Sequence, residues 1–207
     1  MPNWCSNYIK ISGDESNMKP IYDLFNNQEP ETFIMSTLVP ENEEFEEIKR
    51  TGNFILSPYV TYYGTKWDVN VNECDASTLE PTFIEFSVST AWSPPEPFCK
   101  RLSEKYGVDV EISFSEGGAD FAGRSRYSNG EVIEDVTYSY REGMYYLENE
   151  VFWSDVDSDL EWMFCENPNI TLDEVLGTMY PFITDKEDIE TLTEIYNEYK
   201  VDETTEE

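Results

Sequence analysis

Apolar and polar positions alternate along "WCSNYIKISG", residues 4 to 13, and the run closes on a glycine, which predicts a first strand. The period changes in "ESNMKPIYDLFNN", where Met18, Ile21, Tyr22, Leu24 and Phe25 fall at helical spacing. Pro20 is tolerable there only in the first turn. Residues 28 to 61 keep no clear period; they hold the apolar run "FIMSTLVP" and the acidic patch "ENEEFEE" and are expected to form an inserted surface loop. "YYGTKWDVNV" and "TFIEFSVST" then read as two strands, rich in β-branched and aromatic residues. "SPPEPFCKRLSEKYG" predicts a helix with Ser93 as its cap, prolines in its first turn and a stop at Gly107. "VDVEISFSE" alternates again, and "ADFAGRSRYS" and "EVIEDVTYSY" flank Asn129–Gly130, a strong signal for a tight hairpin.

The order strand, helix, strand, strand, helix, strand predicts an α+β fold. It is a ferredoxin-like split βαβ domain with an added hairpin, over residues 1 to 140. Beyond it, residues 141 to 200 predict an acidic, aromatic-rich, mainly helical extension, followed by a disordered acidic tail at 201 to 207. Capping boxes mark two helices there, Thr171 with Glu174 and Thr184 with Glu187. In the second, Ile189, Leu192, Tyr196 and Tyr199 make an apolar face.

Charge changes this picture most. The 207 residues carry 44 Asp and Glu against 13 Lys and Arg, a net of -31, and no histidine. Residues 142 to 207 hold 20 of the acids and only Lys186 and Lys200 as cations, a net of -18. Such a field repels nucleic acid and anionic lipid and attracts basic protein surfaces. No apolar run approaches the ~20 residues of a membrane span, and "MPNWCSNYIK" is neither a signal nor a transit sequence. The expectation is a protein of the bacterial cytoplasm with no membrane partner. Cys5, Cys74, Cys99 and Cys165 lie far apart and are expected to be reduced thiols.

Four segments, "MPNWCSN", "GTKWDV", "TAWSPPEP" and "EGGADFAG", resemble the YubB-like family, over roughly residues 1 to 127. The resemblance implies a ferredoxin-like domain and a phage- or plasmid-borne setting. It implies no mechanism, and fold alone supplies none.

The candidate chemistry divides three ways. Without histidine, Ser-His-Asp, Cys-His and His-ligated metal sites are absent, and no GxxxxGK[ST] or GxGxxG loop is present. No catalytic residue, cofactor or metal is assigned, and the protein is expected not to be an enzyme; carboxylate pairs leave a hydrolase as the weakest alternative. In "SDVDSDLEWMFCE", Asp155, Asp157, Asp159 and Glu166 match positions 1, 3, 5 and 12 of an EF-hand loop. Position 6, where the turn needs glycine, is Leu160. The row reads instead as displayed charge. Asp155, Asp157, Asp159 and Glu161 would repeat at ~3.3 Å per residue if extended, and Glu187, Glu190, Glu194 and Glu198 make a helical acidic stripe. These eight carboxylates are the candidate contacts for a basic DNA- or RNA-binding host protein, bound by mimicry of nucleic acid. A third class is a small-anion or nucleotide pocket on one sheet face, built from Tyr62, Tyr63, Lys66, Trp67, Trp92, Phe121, Arg124 and Arg126. The plainer alternative makes Trp67 and Trp92 core residues and pairs the cations with nearby acids.

Overall fold

The computed structural model describes residues 3–27, 31–52, 57–148 and 153–202. The chain divides into two compact units, Met1–Gly143 and Met144–Glu207.

In the first unit the chain runs through β1 (Trp4–Ser12), α1 (Glu15–Asn27), α2 (Ile34–Leu38), α3 (Glu43–Thr51) and α4 (Pro58–Tyr63). It continues through β2 (Asp75–Glu80), β3 (Phe83–Ala91), α5 (Glu96–Tyr106), β4 (Asp109–Glu116), β5 (Phe121–Ser128) and β6 (Glu131–Tyr138). The six strands form one antiparallel sheet in the order β2-β3-β1-β4-β5-β6. Because β1 lies between β3 and β4, each β-α-β unit is split by a strand of the other half, which is the ferredoxin-like arrangement. The hairpin of β5 and β6 extends it, and its turn residues Asn129 and Gly130 have φ of 49° and 80°, as a two-residue hairpin with matching twist requires.

Strand alternation decides which face is buried. Cys5, Asn7, Ile9 and Ile11 of β1 point with Ile84, Phe86, Val88, Val110, Ile112 and Phe114 into the core. Met18, Ile21 and Phe25 of α1 and Phe98, Cys99 and Leu102 of α5 close that core, with the Phe25 and Phe86 rings 4.8 Å apart. Burial pushes the Cys5 and Cys74 thiols up to about 12, so both stay protonated and inert at neutral pH.

Four expectations for this unit need correction. Residues 28 to 61 are not a surface loop: α2, α3 and α4 lie there, and Ile34, Met35, Leu38, Val39 and Phe45 belong to the core. "ENEEFEE" is the start of α3, where the Asn42 side chain accepts from Phe45 N and Glu43, Glu44 and Glu46 occupy the positive end of the helix. "YYGTKWDVNV" is not a strand; Tyr62 and Tyr63 end α4, and β2 comes later. Ser93 does not cap α5, whose N-cap is Pro95; its hydroxyl goes to Gly64 O instead. Pro20 sits inside α1, beyond the first turn, where its missing N–H removes one helix bond.

The second unit follows α6 (Tyr140–Glu148), which crosses the boundary between the units, and contains α7 (Trp153–Glu166), α8 (Leu172–Thr178) and α9 (Lys186–Asp202). The Thr171–Glu174 capping box is present, with Thr171 N donating to Glu174 Oε2 at 2.8 Å. At the start of α9 the cap is Asp185 rather than Thr184, its carboxylate accepting from Glu187 N at 2.8 Å. Val156, Leu160, Phe164, Val175, Leu192 and Tyr196 form a separate core. The tail expected at 201 to 207 begins within α9, which runs through Asp202; residues 203 to 207 lie outside the described residues. No described helix is long and apolar enough to cross a membrane.

One half-buried acid is informative about pH. Glu96, at the first turn of α5, accepts from Ser125 Oγ at 2.5 Å, and Ser125 also reaches Asp135 at 3.3 Å. Burial first, and the Asp135 charge after it, raises the Glu96 carboxyl above its ordinary range, against hydrogen bonds from Ser125 and Tyr127 that lower it. A raised folded-state value means stability present below the ordinary carboxylate range and lost as pH rises through the folded value. Glu96→Gln is therefore expected to be more stable than the parent at pH 7, by on the order of 0.5 kcal/mol after allowance for partial exposure. The gain should vanish near pH 4, and a variant less stable at pH 7 would refute it.

Candidate functional site

The segments that carried the family resemblance meet in space. Trp4 opens β1, Trp92 follows β3 directly, and Lys66 and Trp67 leave the end of α4. In the β1–β3 register Trp4 pairs with Ala91, and Trp92 N extends the ladder by donating to Asn3 O at 2.9 Å. Thr65 reaches the same point from the other side, its hydroxyl donating to Ala91 O at 3.0 Å.

The three indoles are not core residues. Trp4 is 53%, Trp67 46% and Trp92 42% exposed, and the Trp4 and Trp67 rings are 6.2 Å apart. The Lys66 ammonium stands 4.8 Å from the Trp67 ring centre and 4.2 Å from that of Trp92, within cation–π range of both. Trp92 has φ +79°, a left-handed conformation that costs a bulky residue about 1–2 kcal/mol. The cost is sustained by surrounding hydrogen bonds. Thr90 Oγ1 donates to Ser93 O at 2.8 Å, and Ser93 Oγ donates to Gly64 O at 2.6 Å. Beneath them Asn7, 4% exposed, donates its amide to Cys5 O, Val88 O and Thr90 Oγ1. Glu116, 8% exposed, takes the Asn3 side chain at 3.3 Å and Gly118 N at 2.9 Å, fixing the residue whose carbonyl holds Trp92.

The rest of the expected pocket disperses. Tyr62 and Tyr63 are buried in the core. Phe121 packs on Phe114, with ring centres 6.1 Å apart. Arg124 pairs with Glu134 at 2.7 Å, and Arg126 with Glu111 at 3.5 Å, on the sheet face that also carries Lys10. For the arginines the plainer alternative holds; for Trp67 and Trp92 it fails. Trp4 was missed as a site residue, although alternation with the buried Cys5 puts it on the opposite face of β1.

The acidic candidates also sort by geometry. Residues 153–166 form a continuous helix, so Asp155, Asp157, Asp159 and Glu161 do not repeat at strand spacing. At about 100° per residue, Asp157 and Glu161 share one face and Asp155 and Asp159 another. An EF-hand loop cannot be laid on this helix. Asp159 accepts from the Tyr180 hydroxyl and helps hold α7 to the segment after α8; the Asp155 side chain lies outside the described residues. Asp157 and Glu161 are exposed. Burial, then the charges of these two acids, raises the Tyr199 hydroxyl, which places them beside α9. On α9 itself Glu187, Glu190, Glu194 and Glu198 are all exposed, and the Lys186–Glu190 pair is at 3.0 Å.

Residues 63–157 match the family described as the ferredoxin-like domain in Api92-like protein. Over 118 residues the chain is 28% identical to the uncharacterised protein YubB of Escherichia coli (strain K12), covering 56% of this chain and 73% of that protein. The crystal structure of the protein api92 from Yersinia pseudotuberculosis overlaps 67% of this chain and 99% of its own, at 8% identity and a TM-score of 0.41. Over residues 63–157 the chain is thus similar to the ferredoxin-like domain of Api92-like proteins, and the resemblance to the YubB-like family holds.

Proposed function

We propose that the second unit offers its carboxylates to a basic, nucleic-acid-binding protein in place of phosphates, and that the chain acts by occupying that protein rather than by catalysis. The observation that carries this reading is the α9 stripe. Four glutamates at spacings of three, four and four stand exposed on one helix face, in a region of net -18. They span about 16 Å of helix axis, and Asp157 and Glu161 add charge beside Tyr199. A protein that neutralises phosphates with fixed Lys and Arg meets a comparable array here. The phage- and plasmid-borne setting of the resemblance fits a target in the bacterial cytoplasm, such as a defence nuclease.

Captured partners should bind at low salt, weaken as salt rises, and be displaced by duplex DNA. With Glu187, Glu190, Glu194 and Glu198 all changed to Gln, affinity for the captured DNA-binding protein should fall about tenfold or more. The slope of log affinity against log salt should also flatten. Capture that resists DNA, or that survives the four substitutions, rules the reading out.

A further inference from the structure

We propose that Trp4, Lys66, Trp67 and Trp92 form a binding site for a mononucleotide, with the base on the exposed indoles and the phosphate at the Lys66 ammonium. The site lies in the first unit and is independent of the acidic stripe.

Lys66 supplies the first argument. The chain has 44 acids, yet among the described residues Lys66 makes no ion pair. Cations on the exposed face of the sheet are neutralised instead: Lys10 by Glu111, Arg124 by Glu134 and Arg126 by Glu111. The Lys66 charge is instead held between two indoles, which leaves it able to meet an incoming anion. The second argument is the flat apolar area around that cation. Indoles exposed by 42 to 53% leave about half of their surface open to a ligand, and aromatic faces stack any base without sequence preference. Trp92 supplies the third. A bulky residue kept at φ +79° by a network running through Asn3, Glu116, Thr90 and Ser93 breaks a local rule with no gain in packing.

Charge also selects the size of the ligand. A net of -31 opposes every added phosphate, so one nucleotide is favoured over a strand, although both present the same base and phosphate.

The test follows the indole N–H signals of the full chain by NMR during titration with AMP, adenosine, ribose 5-phosphate and a decamer of deoxyadenylate. AMP should shift the Trp4, Trp67 and Trp92 signals saturably and leave Trp162 in place. Adenosine and ribose 5-phosphate should each bind about tenfold more weakly or worse. Lys66→Gln should weaken AMP to the level of adenosine. Trp92→Gly, which suits the left-handed backbone and keeps the fold, should weaken AMP and adenosine alike. The proposal is overturned by no saturable shift up to about 10 mM AMP, by shifts that spread equally to Trp162, or by tighter binding of the decamer than of AMP.

Discussion

Gly64→Ala is expected to lower stability by about 3 kcal/mol or more, with a melting temperature some 6 °C or more below the parent's. Two costs add. Gly64 ends α4 at φ +92°, where a side chain is strained by about 1–2 kcal/mol. An added Cβ would also stand 2.6 Å from Pro94 O and 2.6 Å from Pro97 Cδ. Those atoms cannot retreat freely, because the Ser93 hydroxyl ties this turn to Gly64 O and Thr65 ties it to Ala91. Relief has to come from moving the turn that carries Trp92, so the exposed indoles should change environment together with the loss of stability. Gly177, in α8, is the control: nothing lies within 4 Å of its Cβ position, and Gly177→Ala should stabilise by up to about 1 kcal/mol. A Gly64→Ala variant that melts within 1–2 °C of the parent would show that the turn is looser than this packing implies.

The same turn explains part of what the sequence concealed. Tyr62 and Tyr63 precede "GTKWDVNV" in a β-branched, aromatic run that imitates a strand. The local signals outweigh it: the Ser57 side chain accepts from Tyr59 N, Pro58 fills the first helical position, and left-handed Gly64 ends the helix. β2 was missed for the opposite reason. "DASTLE" has little strand propensity and forms an edge strand held by pairing with β3 alone, with a bulge between Ala76 and Thr78. One strand lost and one gained left the order of elements, and so the ferredoxin-like pattern, intact. β1, β3 and β4 were legible because alternation and burial coincide in them, and the β5–β6 hairpin because Asn129–Gly130 marks its turn. Exposure of Trp67 and Trp92 was not legible. Composition places tryptophan inside, and only the left-handed turn after β3 carries Trp92 out. In α7, carboxylates at alternate positions mark a strand face only if the segment is extended; Val156, Leu160 and Phe164 at helical spacing decide otherwise.

Leu192→Ala is expected to unfold the second unit while leaving the first intact. Leu192, Val156, Leu160 and Val175 are fully enclosed in a core that serves residues 144–207 alone. Truncating an enclosed leucine costs about 2–5 kcal/mol, and a unit this small begins with little margin. Its charge narrows the margin further. On α9, Glu190–Glu194 and Glu194–Glu198 are like-charge pairs four residues apart, each destabilising by a few tenths of a kcal/mol. Leu192→Ala should therefore lose helix signal and become protease-sensitive beyond about residue 144, with partial recovery in high salt as repulsion is screened. Cooperative loss of β-sheet signal at the same temperature would instead join the two cores into one folding unit. Changing the four α9 glutamates to Gln makes the opposite forecast, because removing repulsion should stabilise the unit by up to about 1 kcal/mol while abolishing capture of the basic partner. An acidic face kept for solubility alone would gain that stability and lose no partner. The paired outcome, a firmer helix that no longer binds, is what a stripe retained for recognition requires.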